Sequence, residues 1–522
     1  MQDQSPRLDD LLDRDFLPLP ELIRFHATID GRHTALIQDE KRLDYAALDA
    51  LMDRIAASLQ RDGLGSGDAI AICGLNSIPY AAVFLGALRA GVAVAPLAPS
   101  SSPESLAGML KDASARLLFA DAATRSALAA AGVEPGIPVV AIDGSGNLPF
   151  ERWLAAEGAK PAPVDISPDQ AFNIIYSSGT TGAPKGIVQP FSMRWTHVQR
   201  GRINGYGADA VTLISTPLYS NTTLVSFFPT IGLGGTLVLM AKFDAGAYLQ
   251  LAQRHRVTHT MLVPVQYQRI MDRPDFADHD LSAFRMKFCT SAPFSAALKA
   301  DILRRWPGGL IEYYGMTEGG GTCVLAAHEH PHKLHTVGLP APGHDIRLID
   351  DAGREVGPGE AGEVVGHSPA MMKGYHNQPE KSAEAEWHDP SGKRFIRTGD
   401  VGRFDADGFL ILLDRKKDMI ISGGFNIYPS DLEAVLRQHP AVHEAAVVGV
   451  PSVRWGETPV AFVVAREDAT DGADAIRDWA NARLGKTQRL ADLVLTDSLP
   501  RSPIGKVLKR ELRDAYVPRG PI

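Results

Sequence analysis

A chain of 522 residues is too long for one hydrophobic core and predicts two or three domains. With 45% hydrophobic and 22% charged residues it is an ordinary globular composition, and a net charge of −8 excludes the basic footprint of a nucleic-acid binder. Three cysteines, Cys73, Cys289 and Cys323, stand far apart without metal-ligand spacing, which fits free thiols in a reducing, cytoplasmic setting. The first residues lack a basic stretch followed by an apolar one, so no secretory signal is expected.

Residues 44–63 carry a helical pattern, with Leu48, Leu51, Ile55 and Leu59 on one face. Gly65 to Asp68 reads as a turn and Ala69 to Cys73 as a buried strand. A helix over 81–90, a strand over 92–95, a helix over 104–115 and a strand over 116–119 follow. Strands alternating with helices predict a parallel, layered α/β sheet. Further strands are expected at 171–175, 187–189, 211–215, 236–240, 259–262 and 286–289. From Ala210 to Ala241 there is no charged residue, but Pro217, Pro229, Gly232, Gly234 and Gly235 interrupt the run. It therefore reads as strand, pocket loop, buried helix and strand, with no membrane span.

Around 344–370 short strands and turns predict a small β-rich subdomain, with a hairpin turn at Asp350 to Gly353. The charged run Asp414-Arg-Lys-Lys-Asp418 marks a second break. Beyond it come a helix at 429–438, strands at 444–450 and 459–465, a helix at 472–484, a strand at 492–496 and a helix at 506–515. The expected fold class is a large α/β N-terminal domain, residues 1–414, with a small mobile α+β C-terminal domain, residues 415–522.

Chemistry collects first at Tyr176-Ser-Ser-Gly-Thr-Thr-Gly-Ala-Pro-Lys-Gly186, between two short strands. Glycines let backbone N–H groups converge, hydroxyls add donors and the lysine adds a mobile positive charge. That equipment suits a polyphosphate. The loop is not a Walker A motif, because Lys185 is followed by Gly186 and then a strand. Alone, it reads as a flexible Ser/Gly-rich hairpin.

Five further stretches occur in order: Glu312-Tyr-Tyr-Gly-Met-Thr-Glu318, Arg397-Thr-Gly-Asp400, Asp414-Arg415, Ile421-Ser-Gly-Gly-Phe-Asn-Ile-Tyr-Pro429 and Pro500-Arg-Ser-Pro-Ile-Gly-Lys506. Together with the loop, over about residues 20–515, the set resembles the adenylate-forming superfamily of acyl- and aryl-CoA synthetases, peptide-synthetase adenylation domains and luciferases. The resemblance implies attack of a carboxylate on the α-phosphate of ATP, then attack of a thiol on the acyl-adenylate. ATP, Mg²⁺ and coenzyme A are the implied cofactors.

The resemblance also implies roles. Ser177, Thr180, Thr181, Gly182 and Lys185 would hold the outer phosphates. Tyr314 would lie against adenine, with Tyr313 and the segment Ser291, Ala292 and Pro293 beside the nucleotide. Glu312 stands where relatives carry Gln or Asn near the adenine amino group. Thr317 would bond the α-phosphate and Glu318 would ligate Mg²⁺. Asp400 would take the ribose diol, with Leu412 and Arg415 nearby. Lys506 would neutralise the reacting anions. After adenylation the C-terminal domain would turn about Lys417, withdraw Lys506 and bring Gly423 and Gly424 to a thiol passage.

The acyl pocket is expected around Tyr219, Ser220, Asn221, Gly315, Met316, Gly319 and Gly320. Many relatives carry histidine where this chain has Ser220. The stretch 217–229 holds no charge, which favours an acid with a neutral tail. Glycines 319–321 leave space for an aromatic ring or a medium acyl chain; Trp195, Phe227, Phe228 and Met316 are either lining or core. The four histidines between His328 and His335 read as a solvated loop, since Pro331 breaks any helical spacing. The expected activity is an AMP-forming ligase of a small-molecule aromatic or medium-chain acid with CoA. The alternatives are transfer to an amine or a carrier protein, and a nucleotide-binding scaffold without catalysis. Which acid, and whether the chain forms a homodimer, stay open.

Overall fold

The computed structural model describes residues 7–177, 184–422, 425–452, 455–467, 469–485, 488–502 and 505–518. The chain forms two compact units that interleave along the sequence. The first takes Met1–Leu334, Ala341–Asp345 and Gly366–Ile396; the second takes His335–Pro340, Ile346–Val365 and Arg397–Ile522.

In the first unit, one sheet runs in the order Val139–Ala141, Ala115–Ala120, Ala69–Cys73, Ala93–Leu97, Ala171–Ser177, Lys185–Pro190 and Gly374–Tyr375. It is parallel as far as Ala171–Ser177 and antiparallel beyond. Ala69–Cys73 and Ala93–Leu97 are buried at every position, so their apolar runs suit strands covered on both faces. A second sheet runs Cys323–Ala326, Gly309–Tyr314, Met286–Cys289, His259–Leu262, Val211–Ile214, Thr236–Leu239, Thr34–Gln38 and Lys41–Asp44. Helix Ile78–Arg89, capped by the Ser77 hydroxyl on the Tyr80 amide, contacts strands of both sheets and is buried from Tyr80 to Arg89. One apolar core joins this helix with Tyr45–Arg61, Asn221–Gly232 and both sheets.

The charge-free run at 210–241 resolves into strand Val211–Ile214, a loop, helix Asn221–Gly232 and strand Thr236–Leu239. No helix among the described residues is long and apolar enough to cross a membrane. The core also contains one ionic node. Asp53, 1% exposed at its side chain, receives Arg24 at 2.7 Å, Arg89 at 2.9 Å and Lys160 at 2.7 Å.

Strand Arg394–Phe404 passes from the first unit into the second. In the second unit it pairs antiparallel with Leu410–Arg415, which sets Asp400 opposite Arg415. Farther on, strands Phe425–Ile427, Ile420–Ser422, Gly456–Ala465 and Val442–Ser452 form one sheet, joined by Asp492–Leu495 along Gly456–Ala465. Helices Pro429–Leu436, Ala473–Asn481 and Lys509–Ala515 cover it through two apolar clusters. The last helix begins three residues later than the apolar pattern suggests. Arg501 and Val507 form an antiparallel bridge there, which leaves Lys506 ahead of the helix.

Candidate active site

The hairpin Ala171–Ser177 and Lys185–Pro190 pairs Ser177 with Lys185 and Tyr176 with Gly186. Thr180, Thr181 and Gly182 lie outside the described residues. The Lys185 ammonium stands 4.9 Å from the ring centre of Tyr375, and the Tyr375 hydroxyl donates to Glu318 Oε1 at 2.9 Å. One tyrosine thus links the lysine of the loop to the buried carboxylate that follows Thr317. Burial and the neighbouring carboxylate push the Tyr375 phenol well up, so it stays a donor. The sequence reading missed Tyr375, which reaches the site from a two-residue strand about two hundred positions after the loop.

No group of three or more His, Cys, Asp or Glu side chains among the described residues could hold a metal by itself. Mg²⁺ does not need one, because it is commonly held by one or two carboxylates together with substrate phosphates. Glu318, fixed through one oxygen by Tyr375, fits that mode.

Thr317 is held through its carbonyl, which accepts from Gln189 Nε2 at 2.6 Å. Gln189 belongs to a buried polar network that sequence reasoning also missed. Its Oε1 accepts from Asn173 Nδ2 at 2.8 Å and from Arg194 Nη2, while Arg194 also donates to Asn173 Oδ1 and Asn221 Oδ1 at 3.1 and 2.9 Å. Arg194 is 1% exposed, and burial pulls its guanidinium down to about 9. The network joins Thr317 to Asn221, the first residue of the helix that follows the pocket loop. The loop itself is fixed by Asn76, which donates to the Thr216 carbonyl at 2.9 Å and accepts from the Leu218 amide at 2.8 Å. Tyr219 is half-buried and Ser220 buried.

Glu312, Tyr313 and Tyr314 end strand Gly309–Tyr314. Glu312 is buried and paired with the buried Lys299 ammonium. Burial raises the Glu312 carboxyl to about 7 against the pull of Lys299. Tyr313 donates to Asn204 Oδ1 at 3.1 Å and stacks on Phe288, while Tyr314 is half-buried. Ser291 sits in the left-handed region, φ +82, with its hydroxyl 2.5 Å from that of Thr222. Ala292 beside it is half-buried and Pro293 exposed.

One expectation about pocket room needs correction. Gly319 and Gly320 do not open space. Both have positive φ, and an added Cβ would come 2.0 Å from the Ala370 carbonyl oxygen and 2.5 Å from Ile396 Cβ respectively. Trp195, Phe227 and Phe228 belong to the apolar core. Met316 packs beside Ile187, Met372 and Ile396, and Gly315 is exposed.

In the second unit, Arg415 Nε lies 2.8 Å from Asp400 Oδ1, and Leu412 pairs with Gly402. Lys506 follows Gly505, φ +80, and its carbonyl accepts from the Ser502 amide at 2.8 Å. Burial, reinforced by Arg415 and opposed by Asp400, pulls the Lys506 ammonium down to about 8. Lys417 is exposed, and its ammonium is shifted down chiefly by desolvation. Asp400, Arg415, Lys417 and Lys506 therefore share one electrostatic environment, although a hundred residues separate them. Gly423 and Gly424 lie outside the described residues.

Comparison with known proteins places these residues in a family. The model for AMP-binding enzymes matches residues 24–376, and that for the AMP-binding enzyme C-terminal domain matches residues 431–506. An indoleacetate–CoA ligase of Aromatoleum aromaticum is 34% identical over 517 residues, covering 95% of this chain and 98% of that protein. A feruloyl-CoA synthase of Amycolatopsis is 34% identical, covering 94% and 97%. Among solved structures, the amide bond synthetase McbA of Marinactinospora thermotolerans superposes with a TM-score of 0.85 at 27% identity, over 95% of this chain and 99% of that one. The chain belongs to the AMP-binding enzymes, as an AMP-forming acyl/aryl-CoA synthetase of the adenylate-forming superfamily.

Proposed function

We propose that the protein uses ATP to join an aromatic or medium-chain carboxylic acid with an uncharged tail to coenzyme A. The observation that carries this is the likeness to two aryl-CoA ligases along almost their whole length. In the first half-reaction an acid oxygen bonds to the α-phosphorus of ATP while the bond to pyrophosphate breaks. In the second, the thiol sulfur bonds to the acyl carbon and AMP leaves.

Thr180, Thr181, Gly182 and Lys185 hold the outer phosphates by hydroxyls, amides and charge. Glu318, oriented by Tyr375, holds Mg²⁺, which when bound offsets phosphate charge. Thr317 is oriented for the α-phosphate by the Gln189 bond to its carbonyl. Asp400, paired with Arg415 through Oδ1, takes the ribose diol. Lys506 brings its ammonium to the reacting oxygens, which lowers the repulsion between two anions. Residues 415–522 act as a lid that turns about Lys417 between the half-reactions. Three buried free cysteines fit a cytoplasmic enzyme.

The likeness to an amide bond synthetase gives the second reading, in which an amine takes the acyl group. Incubation with ATP, a panel of acids and either CoA or an amine decides between them. Thioester accumulating with CoA supports the ligase; amide without thioester overturns it.

A further inference from the structure

Two hydrogen bonds in the second unit span the point about which the lid is proposed to turn. Before that point, strand Leu410–Arg415 is paired to Arg394–Phe404, and the Lys416 amide donates to the Gly399 carbonyl at 2.9 Å. The Lys416 ammonium lies 2.7 Å from Asp351 Oδ1 and 3.2 Å from Glu363 Oε2, and the buried Glu363 also takes Arg397. Backbone and side chain are thus tied down as far as Lys416, one residue short of Lys417.

After that point, Ile420–Ser422 pairs with Phe425–Ile427. Helix Pro429–Leu436 packs on this pair, since Leu432 and Leu436 share one apolar cluster with Ile420 and Ile427. The helix therefore moves with the sheet. Its N-terminus has no cap of its own: the Tyr428 side chain makes no capping bond and Pro429 brings no N–H. Ser430 presents the first amide of the helix, and that amide donates to Asp414 Oδ2 at 3.0 Å. The Ser430 hydroxyl donates to the Leu413 carbonyl. The other Asp414 oxygen accepts from the Arg415 amide at 2.7 Å, which fixes the carboxylate on its own strand. Lys509, paired with Glu433 of the helix at 2.9 Å, also feels Asp414.

The helix thus takes its cap from 16 residues earlier, on the far side of Lys417. A carboxylate at a helix N-terminus is favourable twice, through the bond and through the helix dipole. If everything beyond Lys417 turns as one body, Leu413 and Asp414 stay behind and both bonds open. They are closed in the arrangement in which Lys506 shares its surroundings with Asp400 and Arg415. Adenylate formation needs that arrangement.

We propose that Asp414 and Ser430 form a latch across the turning point, a reading that rests on the lid described above. Closed, it keeps Lys506 with Asp400 and Arg415; open, it frees the lid for the thiol half-reaction. Once open, the amide, the hydroxyl and the carboxylate bond to water instead, so the net gain from closure is modest. The latch biases the turn without blocking it. Asp414 and Ser430 are positioning residues, acting through the lid and not on the reacting atoms.

The test measures single-turnover rates of the two half-reactions separately: pyrophosphate release from ATP and acid, and thioester formation from supplied acyl-AMP and CoA. Ser430→Ala removes the hydroxyl bond and keeps the amide; Asp414→Asn keeps an acceptor and loses the charge. Each should raise the ratio of the thiol rate to the adenylation rate by about threefold to tenfold, the worth of one modest hydrogen bond. Ser430→Thr, which keeps the hydroxyl, should stay near the native ratio. A purely structural role would slow both half-reactions together and leave the ratio alone. A ratio unchanged or lowered in both Ser430→Ala and Asp414→Asn overturns the latch, and Ser430→Ala decides where the two disagree. If one variant does not fold, the other decides; if neither folds, the bonds are structural supports and the latch is overturned. Failure of Lys506→Ala to separate the half-reactions overturns the lid itself, and no pyrophosphate release with any acid overturns the ligase function first.

Discussion

At the scale of single residues, the proposed role of Lys506 predicts a pH response. In that role its ammonium is the active form, and burial beside Arg415 has brought it down to about 8 from the usual lysine range. A lowered pKa means the charge is lost earlier as pH rises. The kcat/KM for adenylation should therefore fall as pH climbs through about 8, since that ratio reports the free enzyme. A profile that stays flat to about pH 10, where an ordinary lysine titrates, would contradict the role of Lys506. Lys506 was legible in the sequence because its motif is local: proline, glycine and lysine in seven consecutive positions. Tyr375, Gln189 and Arg194 were not. Each becomes part of the site only through a distant partner, and a lone tyrosine, glutamine or arginine has no pattern to announce it. The pairing of Glu312 was not legible for the same reason, because Lys299, thirteen positions earlier on a helix, gave no sign of reaching it.

Elements were legible where one physical signal dominated. Runs such as Ala69–Cys73 and His259–Leu262 are buried throughout, and such strands read as uninterrupted apolar stretches. The edge hairpin Thr34–Gln38 and Lys41–Asp44 escaped notice because it is short and largely polar in its second strand. The glycines after Glu318 misled in a different way. Composition shows that a side chain is missing and cannot show what fills the space. At Gly319 the space is filled by the Ala370 backbone. Gly319→Ala should therefore cost on the order of 2–4 kcal/mol, from overpacking and left-handed backbone strain together. A thermal melt showing a neutral change would mean that the segment relaxes freely.

On the scale of the whole molecule, two predictions separate stability from catalysis. Asp53 holds three cations at the core of the first unit, and its closest buried partner Arg89 is only 4% exposed. Asp53→Ala removes one of the two carboxylates that pair with that guanidinium, Asp49 at 2.5 Å being the other, with an expected loss of about 1.5–3 kcal/mol. Denaturation should show the loss while ATP affinity of the folded protein is retained; an unshifted midpoint would mean that the node is dispensable. The second prediction divides the reaction. Lys506→Ala should abolish acyl-adenylate formation yet still convert supplied acyl-AMP to thioester, and Gly424→Leu should do the reverse. Equal loss of both half-reactions in both variants would rule out a lid with two working positions. The broad plan, a large α/β part followed by a small α+β part, followed from the alternation of strands and helices. The interleaving of the two units did not, because it depends on which distant segments pack together.

That interleaving has a consequence for the order of synthesis. The ribosome delivers His335–Pro340 and Ile346–Val365 before Arg397–Ile522, the stretch that completes their unit. Gly366–Ile396, made in between, belongs to the unit begun earlier. A nascent chain of about 400 residues thus owns all of the first unit and carries stranded pieces of the second, with β-edges open to other chains. Fragments ending near residue 396 should bind chaperones or aggregate, and full solubility should return only when the remaining C-terminal residues are supplied, in cis or as a separate piece.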